Sequence, residues 1–407
     1  MSATRLLTNI GALVTVPGKG AVRGGAMGEL SVTHDAAVAI TNGHVSWCGS
    51  RSDWQGTAHD EVDLGGAAVV PGLVDPHTHV VWGGDRLADF EARASGVAYE
   101  TILAGGGGIR HTVGETSRAT TEALVGSATQ RLQRMMRAGA TTIEVKSGYG
   151  AGWEDECREL EVVRRLRSLV PARLEATMLF HLPPRDAAER AAYLHAATNE
   201  WIPQLASDGS ASAVDIFIER EAFSVADAGQ VLRAARRAGL SCKAHTDQFH
   251  ALGGTELAIA HGALSVDHLE SSGPDQVAAL AAGNTVGVVL PGVSLHLGLP
   301  AAPGRALVDS GAIVAVGTDC NPGSSPLFSM AMAMALGVRL NGLSPAESLT
   351  ACTANAAAAL GLPDVGRIAP GMCADLLVLR SADWRDLPYT LGDDVVQRVF
   401  IAGTELS

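Results

Sequence analysis

The stretch that decides the fold is Val70-Pro71-Gly72-Leu73-Val74-Asp75-Pro76-His77-Thr78-His79. It closes a run of apolar and small residues, 67–74, with a His-Thr-His pair. Residues two apart on a strand point to the same side, so His77 and His79 could hold one metal ion from the end of one strand. The alternative for the pair taken alone is two surface or turn histidines, because short motif matches carry false positives.

Length and composition limit the class of protein. A chain of 407 residues can form one large barrel with a small accessory domain, or roughly two to three ordinary domains. The formal charge of −13 argues against nucleic acid or an anionic membrane surface as a partner. No apolar run reaches the roughly 18 residues of a membrane span, so we expect none. The first residues lack the pattern of a signal peptide.

The six cysteines are scattered and form no Cys-x-x-Cys motif. A disulfide framework is not expected in so long a chain with this spacing, and reduced thiols fit better. We therefore expect a cytoplasmic protein, and for its assembly we expect a homodimer.

Both ends of the chain have the pattern of short strands. Residues 4–66 show no helical period, and Asn42-Gly43 joins two alternating runs as a hairpin turn would. Apolar runs recur at 374–379 and 395–402. We predict one small β-sandwich domain built from both termini, residues 1–70 plus 365–407.

The middle of the chain alternates short apolar runs with helical patterns of ten to twenty residues, such as 122–138, 154–169 and 225–238. Strand–helix alternation indicates a parallel sheet. After the His-Thr-His strand, seven further runs follow, at 141–146, 173–181, 213–219, 241–245, 264–268, 285–291 and 313–319. We predict an α/β fold with a (β/α)8 TIM-like barrel over residues 71–364.

Polar residues fall at the carboxyl ends of four of these runs: His77 and His79 on the first, His245 on the fifth, His268 on the sixth and Asp319 on the eighth. Active sites of such barrels gather at that rim. A single histidine at a strand end is more often structural, but four strands ending in His or Asp indicate a shared site.

Several longer motifs resemble the imidazolonepropionase family of the metal-dependent amidohydrolase superfamily, over residues 30–403. They are Pro71-Gly72-Leu73-Val74-Asp75-Pro76-His77-Thr78-His79, Gly105-Gly106-Gly107-Gly108-Ile109-Arg110, Glu144-Val145-Lys146-Ser147-Gly148-Tyr149-Gly150, Ala244-His245-Thr246-Asp247-Gln248, Ser265-Val266-Asp267-His268-Leu269 and Thr318-Asp319-Cys320-Asn321-Pro322-Gly323-Ser324-Ser325-Pro326. The Lys-Ser-Gly-Tyr-Gly and Asp-Cys-Asn-Pro-Gly pieces are specific to that family rather than to the superfamily.

The resemblance implies hydrolytic opening of the ring of 4-imidazolone-5-propanoate to N-formimidoyl-L-glutamate, in histidine degradation. It implies one divalent metal, Zn²⁺ or Fe²⁺, with His77, His79, His245 and Asp319 as ligands, and the chemistry of three imidazoles and a carboxylate agrees. A metal of this kind lowers the pKa of water towards ~7. We expect Asp319 to move the proton of that water to the leaving nitrogen and His268 to polarise the carbonyl.

The resemblance also implies the contacts of a small anionic heterocycle. We expect Arg86 to bind the propionate bidentately, against the alternative of a surface arginine. The other substrate-contacting positions implied are Tyr149, His181, Gln248, Asn321, Gly323 and Ser324, with Gln248 also counted among the catalytic residues. For Tyr149 the alternative is a structural loop tyrosine. No lysine ends the third or fourth strand, and Lys146 ends the second, so one metal is expected rather than two bridged by a carboxylated lysine.

One segment departs from the family pattern. Where the family has Phe-Leu-Gly-Ala-His, this chain has Met178-Leu179-Phe180-His181, and His296 lies in a second divergent stretch, 292–299. Both departures predict an altered pocket. Two alternatives therefore stay open: a related amidohydrolase acting on another nitrogen heterocycle, as a cyclic amidase or a deaminase, and a binding protein with a structural metal.

Overall fold

Two eight-stranded sheets dominate the computed structural model, which describes residues 2–97, 106–392 and 394–406. The strands are β1 Ser2–Thr15, β2 Ser31–Thr41, β3 His44–Ser50, β4 Thr57–Asp63, β5 Ala68–Pro71, β6 Leu73–Asp75, β7 Ala140–Lys146, β8 Arg173–Phe180, β9 Ala213–Ile216, β10 Ser241–Thr246, β11 Ser265–His268, β12 Val286–Val289, β13 Ile313–Val316, β14 Leu376–Leu379, β15 Val396–Ile401 and β16 Thr404–Glu405.

The parallel sheet runs from β6 to β13 in chain order, and its two ends meet. Thr78 bridges Cys320 in parallel register, the His79 N–H donates to the Cys320 carbonyl at 2.9 Å, and the Asp319 N–H donates to the His77 carbonyl at 3.0 Å. These contacts close the sheet into a barrel. The predicted (β/α)8 barrel is therefore confirmed, and β6 and β13 bring His77, His79 and Asp319 side by side.

Helices cover the outside of the barrel. They are α1 Leu87–Ala94, α2 Ile109–Arg118, α3 Thr121–Arg137, α4 Trp153–Leu166, α5 Ala187–Ala196, α6 Ile202–Asp208, α7 Val225–Arg237, α8 Gly254–Ala260, α9 Pro274–Ala282, α10 Pro291–Leu297, α11 Gly304–Asp309, α12 Met330–Leu340, α13 Pro345–Ala351, α14 Ala354–Ala359 and α15 Asp386–Tyr389. Short polar side chains define where several begin; Ser224 and Ser344, for example, start α7 and α13 with complete capping boxes.

The second sheet joins the two ends of the chain, in the order β16-β15-β14-β5-β1-β2-β3. β1 also pairs with β4 along its first half and with β5 along its second, so the sheet branches into the predicted β-sandwich. The Asn42-Gly43 hairpin turn is confirmed, with φ angles of 51° and 80°. The domain boundaries at 70 and 365 remain a prediction.

The apolar run 67–74 is divided between two strands. β5 belongs to the sandwich and β6 to the barrel, and the chain changes sheet at Gly72. A Cβ on Gly72 would lie 2.3 Å from the Thr141 Oγ1, so only glycine fits this crossing. His77 and His79 follow β6 rather than lying within it, although both are held at the barrel rim. Among the described residues, no helix is long and apolar enough to cross a membrane.

Candidate active site

The four predicted metal ligands converge at the carboxyl-terminal rim of the barrel. The ring nitrogens of His77, His79 and His245 include one atom from each residue within 4.8 Å of the others. His77 Nε2 and His79 Nε2 lie 3.3 Å apart, and Asp319 Oδ1 lies 3.4 and 3.2 Å from these two atoms. All four side chains are buried. The structure therefore places four potential ligand atoms around one point.

Unpaired nitrogen atoms show that this cluster fits a cation. His77 Nδ1 lies 2.6 Å from the Asp267 carboxylate and donates to it, which leaves a lone pair on His77 Nε2 facing His79 Nε2. His245 Nε2 is buried without a hydrogen-bond partner among the described residues. Buried polar atoms without partners are costly. Three imidazoles and a carboxylate form a donor set for a divalent transition metal.

Two buried aspartates lie directly behind the ligands. Asp267 on β11 accepts from His77, and Asp215 on β9 has its Oδ2 3.0 Å from His245 Nδ1. Carboxylates behind metal-binding histidines fix the ring orientation and the tautomer. Burial raises the pKa of Asp215, but His245 and the nearby lysines outweigh burial and hold that pKa well below its ordinary value. Both aspartates therefore support the ligands as anions.

Two buried lysines neutralise these aspartates inside the barrel. Lys146 Nζ lies 2.7 Å from both Asp215 Oδ2 and Glu144 Oε2 and 3.6 Å from Asp267 Oδ2. Lys243 Nζ lies 2.9 Å from Glu144 Oε1 and 3.8 Å from Asp267 Oδ2. Burial lowers the pKa of Lys146, but its three carboxylate neighbours outweigh burial and raise that pKa. We call these five residues, Glu144, Lys146, Asp215, Lys243 and Asp267, the interior ion network.

The loop after β13 holds the Asp319 carboxylate. Asn321 Nδ2 donates to Asp319 Oδ2 at 2.8 Å, and Ser324 Oγ donates to the same oxygen at 3.1 Å. The backbone N–H groups of Gly323 and Ser324 donate to Asn321 Oδ1 at 2.8 and 2.7 Å. With Oδ2 held in this way, Oδ1 faces the histidines. In this structure Asn321 and Ser324 therefore position Asp319.

Arg86 lies beside the same loop. Its Nε and Nη2 are both 2.5 Å from Asp89 Oδ2, and its Nη1 is 3.0 Å from where a Cβ on Gly323 would stand. Asp89 Oδ2 also accepts from the Gly108 N–H at 2.9 Å. Asp89 therefore holds one edge of the guanidinium, and Nη1 reaches the loop that carries Asp319. Gly105 of the glycine run lies outside the described residues.

Tyr149 and His181 both lie against the His79 ring. The His181 ring stacks on the His79 ring at 5.9 Å between centroids, and Tyr149 lies 5.8 Å from both. Burial and the neighbouring His79 lower the pKa of His181 to about 3, so its ring is neutral near pH 7. Nδ1 then donates to the Gly148 carbonyl at 3.2 Å, which leaves Nε2 as an acceptor.

The loop that carries Tyr149 depends on a glutamate that the sequence motifs did not single out. Glu156 on α4 accepts from the backbone N–H groups of Gly148 and Gly150, each at 2.8 Å. Burial raises the pKa of Glu156 to about 7. The loop and the helix are thereby fixed together behind the aromatic side of the site.

His268 and Gln248 complete the rim. A ring nitrogen of His268 lies within 4.8 Å of ligand atoms of His77 and Asp319. Gln248 follows β10, is largely buried, and accepts from Ser271 Oγ through its backbone carbonyl at 3.3 Å. The structure thus brings these two predicted residues to the same rim.

The two divergent segments have clear structural positions. Leu179 and Phe180 are buried at the end of β8, where Leu179 packs against Gly148 and leaves His181 at the rim. His296 on α10 accepts from Arg93 Nη2 at 2.6 Å and stacks on Phe90. It therefore links α10 to α1, the helix that begins directly after Arg86.

The pattern of apolar runs in the sequence does not reveal the interior ion network. Its members lie on strands, two residues apart in the case of Glu144 and Lys146, and such a spacing places both on one face. Strands buried on both faces read as near-continuous apolar runs, so charged residues within them are a usable signal. The chain has only three lysines, Lys19, Lys146 and Lys243, and two of them interrupt such strands.

Comparisons with known proteins agree with the fold. The amidohydrolase family model matches residues 181–406. Among solved structures, an adenosine deaminase from Xanthomonas campestris with bound zinc has a TM-score of 0.73, 19% identity, and coverage of 99% of this chain and 93% of its own. Escherichia coli guanine deaminase has a TM-score of 0.72, 17% identity and coverage of 99% and 98%. At these identities the solved structures show the shared fold alone.

The fold and the rim site define an amidohydrolase. Imidazolonepropionase of Deinococcus deserti is 57% identical over 98% of this chain and 99% of its own, and that of Deinococcus radiodurans is 55% identical over the whole of both chains. The chain belongs to the imidazolonepropionase family. The resemblance inferred from the motifs is confirmed, and the alternative of a different amidohydrolase is not favoured.

Proposed function

We propose that the rim cluster is where this chain hydrolyses the cyclic amide of 4-imidazolone-5-propanoate to N-formimidoyl-L-glutamate, in histidine degradation. The observation that carries the proposal is the convergence of His77, His79, His245 and Asp319, with unpaired nitrogen atoms, beside Arg86. Family membership indicates the class of reaction, and the geometry of the site indicates which side chains take part in it.

The proposed ligands are His77, His79, His245 and Asp319, around one divalent ion, Zn²⁺ or Fe²⁺. When bound, such an ion supplies Lewis acidity and lowers the pKa of a water molecule. The interior ion network supports the proposed ligands: Asp267 accepts from His77, and Asp215 lies 3.0 Å from His245 Nδ1.

Asp319 is the proposed proton carrier. Hydrolysis adds a water oxygen to the ring carbonyl carbon and breaks the bond from that carbon to the ring nitrogen, so one proton must pass from water to nitrogen. Asn321 and Ser324 hold Oδ2, which leaves Oδ1 at the point where the water reacts. His268 donates to the carbonyl oxygen as negative charge develops there.

The remaining rim residues are proposed to select the substrate. Arg86 presents Nη1 to the propionate, and a local guanidinium is needed because the chain has a formal charge of −13. His181, a neutral acceptor through Nε2, suits a ring N–H group. Tyr149, Gln248 and the Gly323 backbone are the further substrate contacts in this proposal.

Turnover of freshly prepared 4-imidazolone-5-propanoate by the purified chain tests the proposal. We expect loss of the imidazolone absorbance with formation of N-formimidoyl-L-glutamate. Ammonia release without ring opening would identify a deaminase instead. If chelation lowered only the melting temperature and left turnover intact, the metal would be structural. Elemental analysis of the purified chain separates zinc from iron.

The proposal includes two further features of the protein in the cell. A cytoplasmic location follows from the unpaired cysteines expected from the sequence, and a homodimer is the proposed assembly. Light scattering of the purified protein tests the dimer: a molar mass near that of one 41.8 kDa chain would exclude it.

A further inference from the structure

Glu270 is a buried carboxylate next to the proposed catalytic His268. Its side chain is only 2% exposed, and neither of its oxygens has a hydrogen-bond partner among the described residues. His268 Nδ1 lies 3.4 Å from Glu270 Oε2. His268 Nδ1 is itself buried without another partner in the described part of the chain. The two unpaired groups therefore face each other.

The backbone between these residues is strained in a way that brings both side chains to one place. His268 has φ 90° and Leu269 has φ 71°, two successive non-glycine residues in a region that L-amino acids rarely adopt. Such strain persists only where the surroundings enforce it, and it clusters at functional sites. The turn begins at His268, the last residue of β11.

Neighbouring backbone enforces this turn. The Leu269 N–H donates to the Thr246 carbonyl at 3.3 Å, and the Ser271 N–H donates to the Asp247 carbonyl at 2.7 Å. The Leu269 side chain is fully buried in the barrel core. The turn is thus tied to the end of β10 on one side and to the core on the other, so His268 and Glu270 have little freedom to separate.

We propose that Glu270 is a positioning residue that accepts from His268 Nδ1–H and so fixes the ring with Nε2–H turned to the reacting carbonyl, the ring carrying a proton on each nitrogen. The inference rests on the proposed function, which gives His268 its role. Carboxylates that orient an active-site imidazole set both its tautomer and its rotation. Without Glu270, the ring could rotate about its two side-chain torsions, and Nε2 would spend less time at the substrate.

A double-mutant cycle on the metal-loaded protein tests the coupling. Glu270→Ala should lower kcat roughly 10–100-fold with little change in KM and a full equivalent of metal. In a His268→Ala background, Glu270→Ala should cause no additional loss, because Glu270 acts through the missing ring. Independent losses that multiply in the double variant would overturn the proposal, as would loss of metal from Glu270→Ala alone.

Conservative variants and a matched control sharpen the test. Glu270→Gln keeps an acceptor oxygen at the same reach and should recover most of the rate; a Gln variant as slow as the Ala variant would contradict positioning by a hydrogen bond. If Glu270→Ala does not fold, the cycle uses Glu270→Asp, which withdraws the oxygen. Glu256 on α8 also has a buried oxygen without a partner in the described residues. Glu256→Ala should leave kcat unchanged.

Ring nitrogen NMR gives a readout that does not depend on turnover. In wild type, the ¹⁵N signals of His268, assigned by their absence in His268→Ala, should show a proton on Nδ1 as well as on Nε2. In Glu270→Ala that signature should be lost. If wild type fails to open the imidazolone ring, the proposed function is wrong. The spectrum would still show whether Glu270 accepts a hydrogen bond from the His268 ring. An unchanged His268 spectrum in Glu270→Ala would overturn the inference.

Discussion

The barrel interior and the core of the terminal sandwich are equally buried but opposite in composition. The sandwich core is apolar and includes Leu7, Ile10, Val38 and Phe400. Behind the metal ligands, the barrel interior instead contains the interior ion network, with each side chain at most 1% exposed. Apolar burial stabilises a fold, whereas buried ion pairs often add no net stability. The difference indicates that the network serves ligand geometry.

Lysine usage sharpens this contrast. Two of the three lysines in the chain lie in the barrel interior, although arginine supplies nearly all the other positive charge. An ammonium group is a compact point charge, so Lys146 fits between Asp215 and Glu144. The planar guanidinium of an arginine is larger and would need more room at this position. The position of Lys146 therefore favours a lysine by its size as well as by its charge.

The largest effect is expected from Asp319→Asn, which removes one charge from the rim at constant shape. Turnover should fall by roughly 10²–10⁴-fold, since a positioned proton carrier contributes about that much. Circular dichroism should show an unchanged fold, and kcat/KM for the imidazolone substrate measures the loss. Turnover near that of wild type would remove Asp319 from the mechanism.

Lys146→Met tests whether the interior ions act as one unit. Removal of one partner from a buried ion pair costs about 3–5 kcal/mol, because Asp215 and Glu144 are left uncompensated. We expect lower stability to urea and weaker metal binding, measured by elemental analysis after dialysis. Lys19→Met, at an exposed lysine, is the matched control and should change neither. Full metal retention in Lys146→Met would show that the interior ion network is not needed to hold the proposed ligands in place.

Leu7→Ala makes the corresponding change in the sandwich core. Leu7 is fully buried, and truncation of such a side chain costs about 2–5 kcal/mol of unfolding free energy. At 25 °C, kcat/KM and metal content should stay at wild-type values, because no ligand contact is touched. A fall in metal content similar to that in Lys146→Met would show that the two regions are not functionally distinct.

Arg86→Gln should have the smallest effect of the four and act on the substrate alone. A charge-assisted contact contributes about 1.5–3 kcal/mol, so kcat/KM should fall roughly ten- to a few-hundred-fold for the carboxylate substrate. An analogue with an uncharged side chain should lose much less, and Arg86→Lys should recover only part. Arg110→Gln, at an exposed arginine of α2, is the control. Equal losses on both substrates would assign Arg86 a structural role.

Sequence patterns predicted the barrel strands well because most are short, buried and largely apolar. They did not locate the change of sheet at Gly72, since the close contact with Thr141 that requires glycine there comes from a residue distant in sequence. The convergence of the four proposed ligands was predictable because each lies at or just after the carboxyl end of a strand, and parallel strands end at one rim.

The partners of the ligands were not predictable from the same patterns. Asp267 lies within a quoted motif and Asp215 within a predicted strand, but nothing local shows that they face His77 and His245 across the barrel. Likewise, the positive φ of His268 and Leu269, which turns Glu270 inward, comes from hydrogen bonds to β10 rather than from glycine. Contacts between residues distant in sequence determine both the orientation of the two aspartates and this turn.

Metal titration of the stripped protein is the most direct test of a single-metal hydrolase at this rim. The chain is freed of metal by chelation, and increasing amounts of Zn²⁺ or Fe²⁺ are added under conditions that exclude oxygen. Turnover of 4-imidazolone-5-propanoate should be absent at zero metal, rise in proportion to bound metal and level off at one equivalent per chain, while His245→Ala should bind little metal and stay inactive. Full turnover by the metal-free protein, or a rise that continues to two equivalents, would contradict the account.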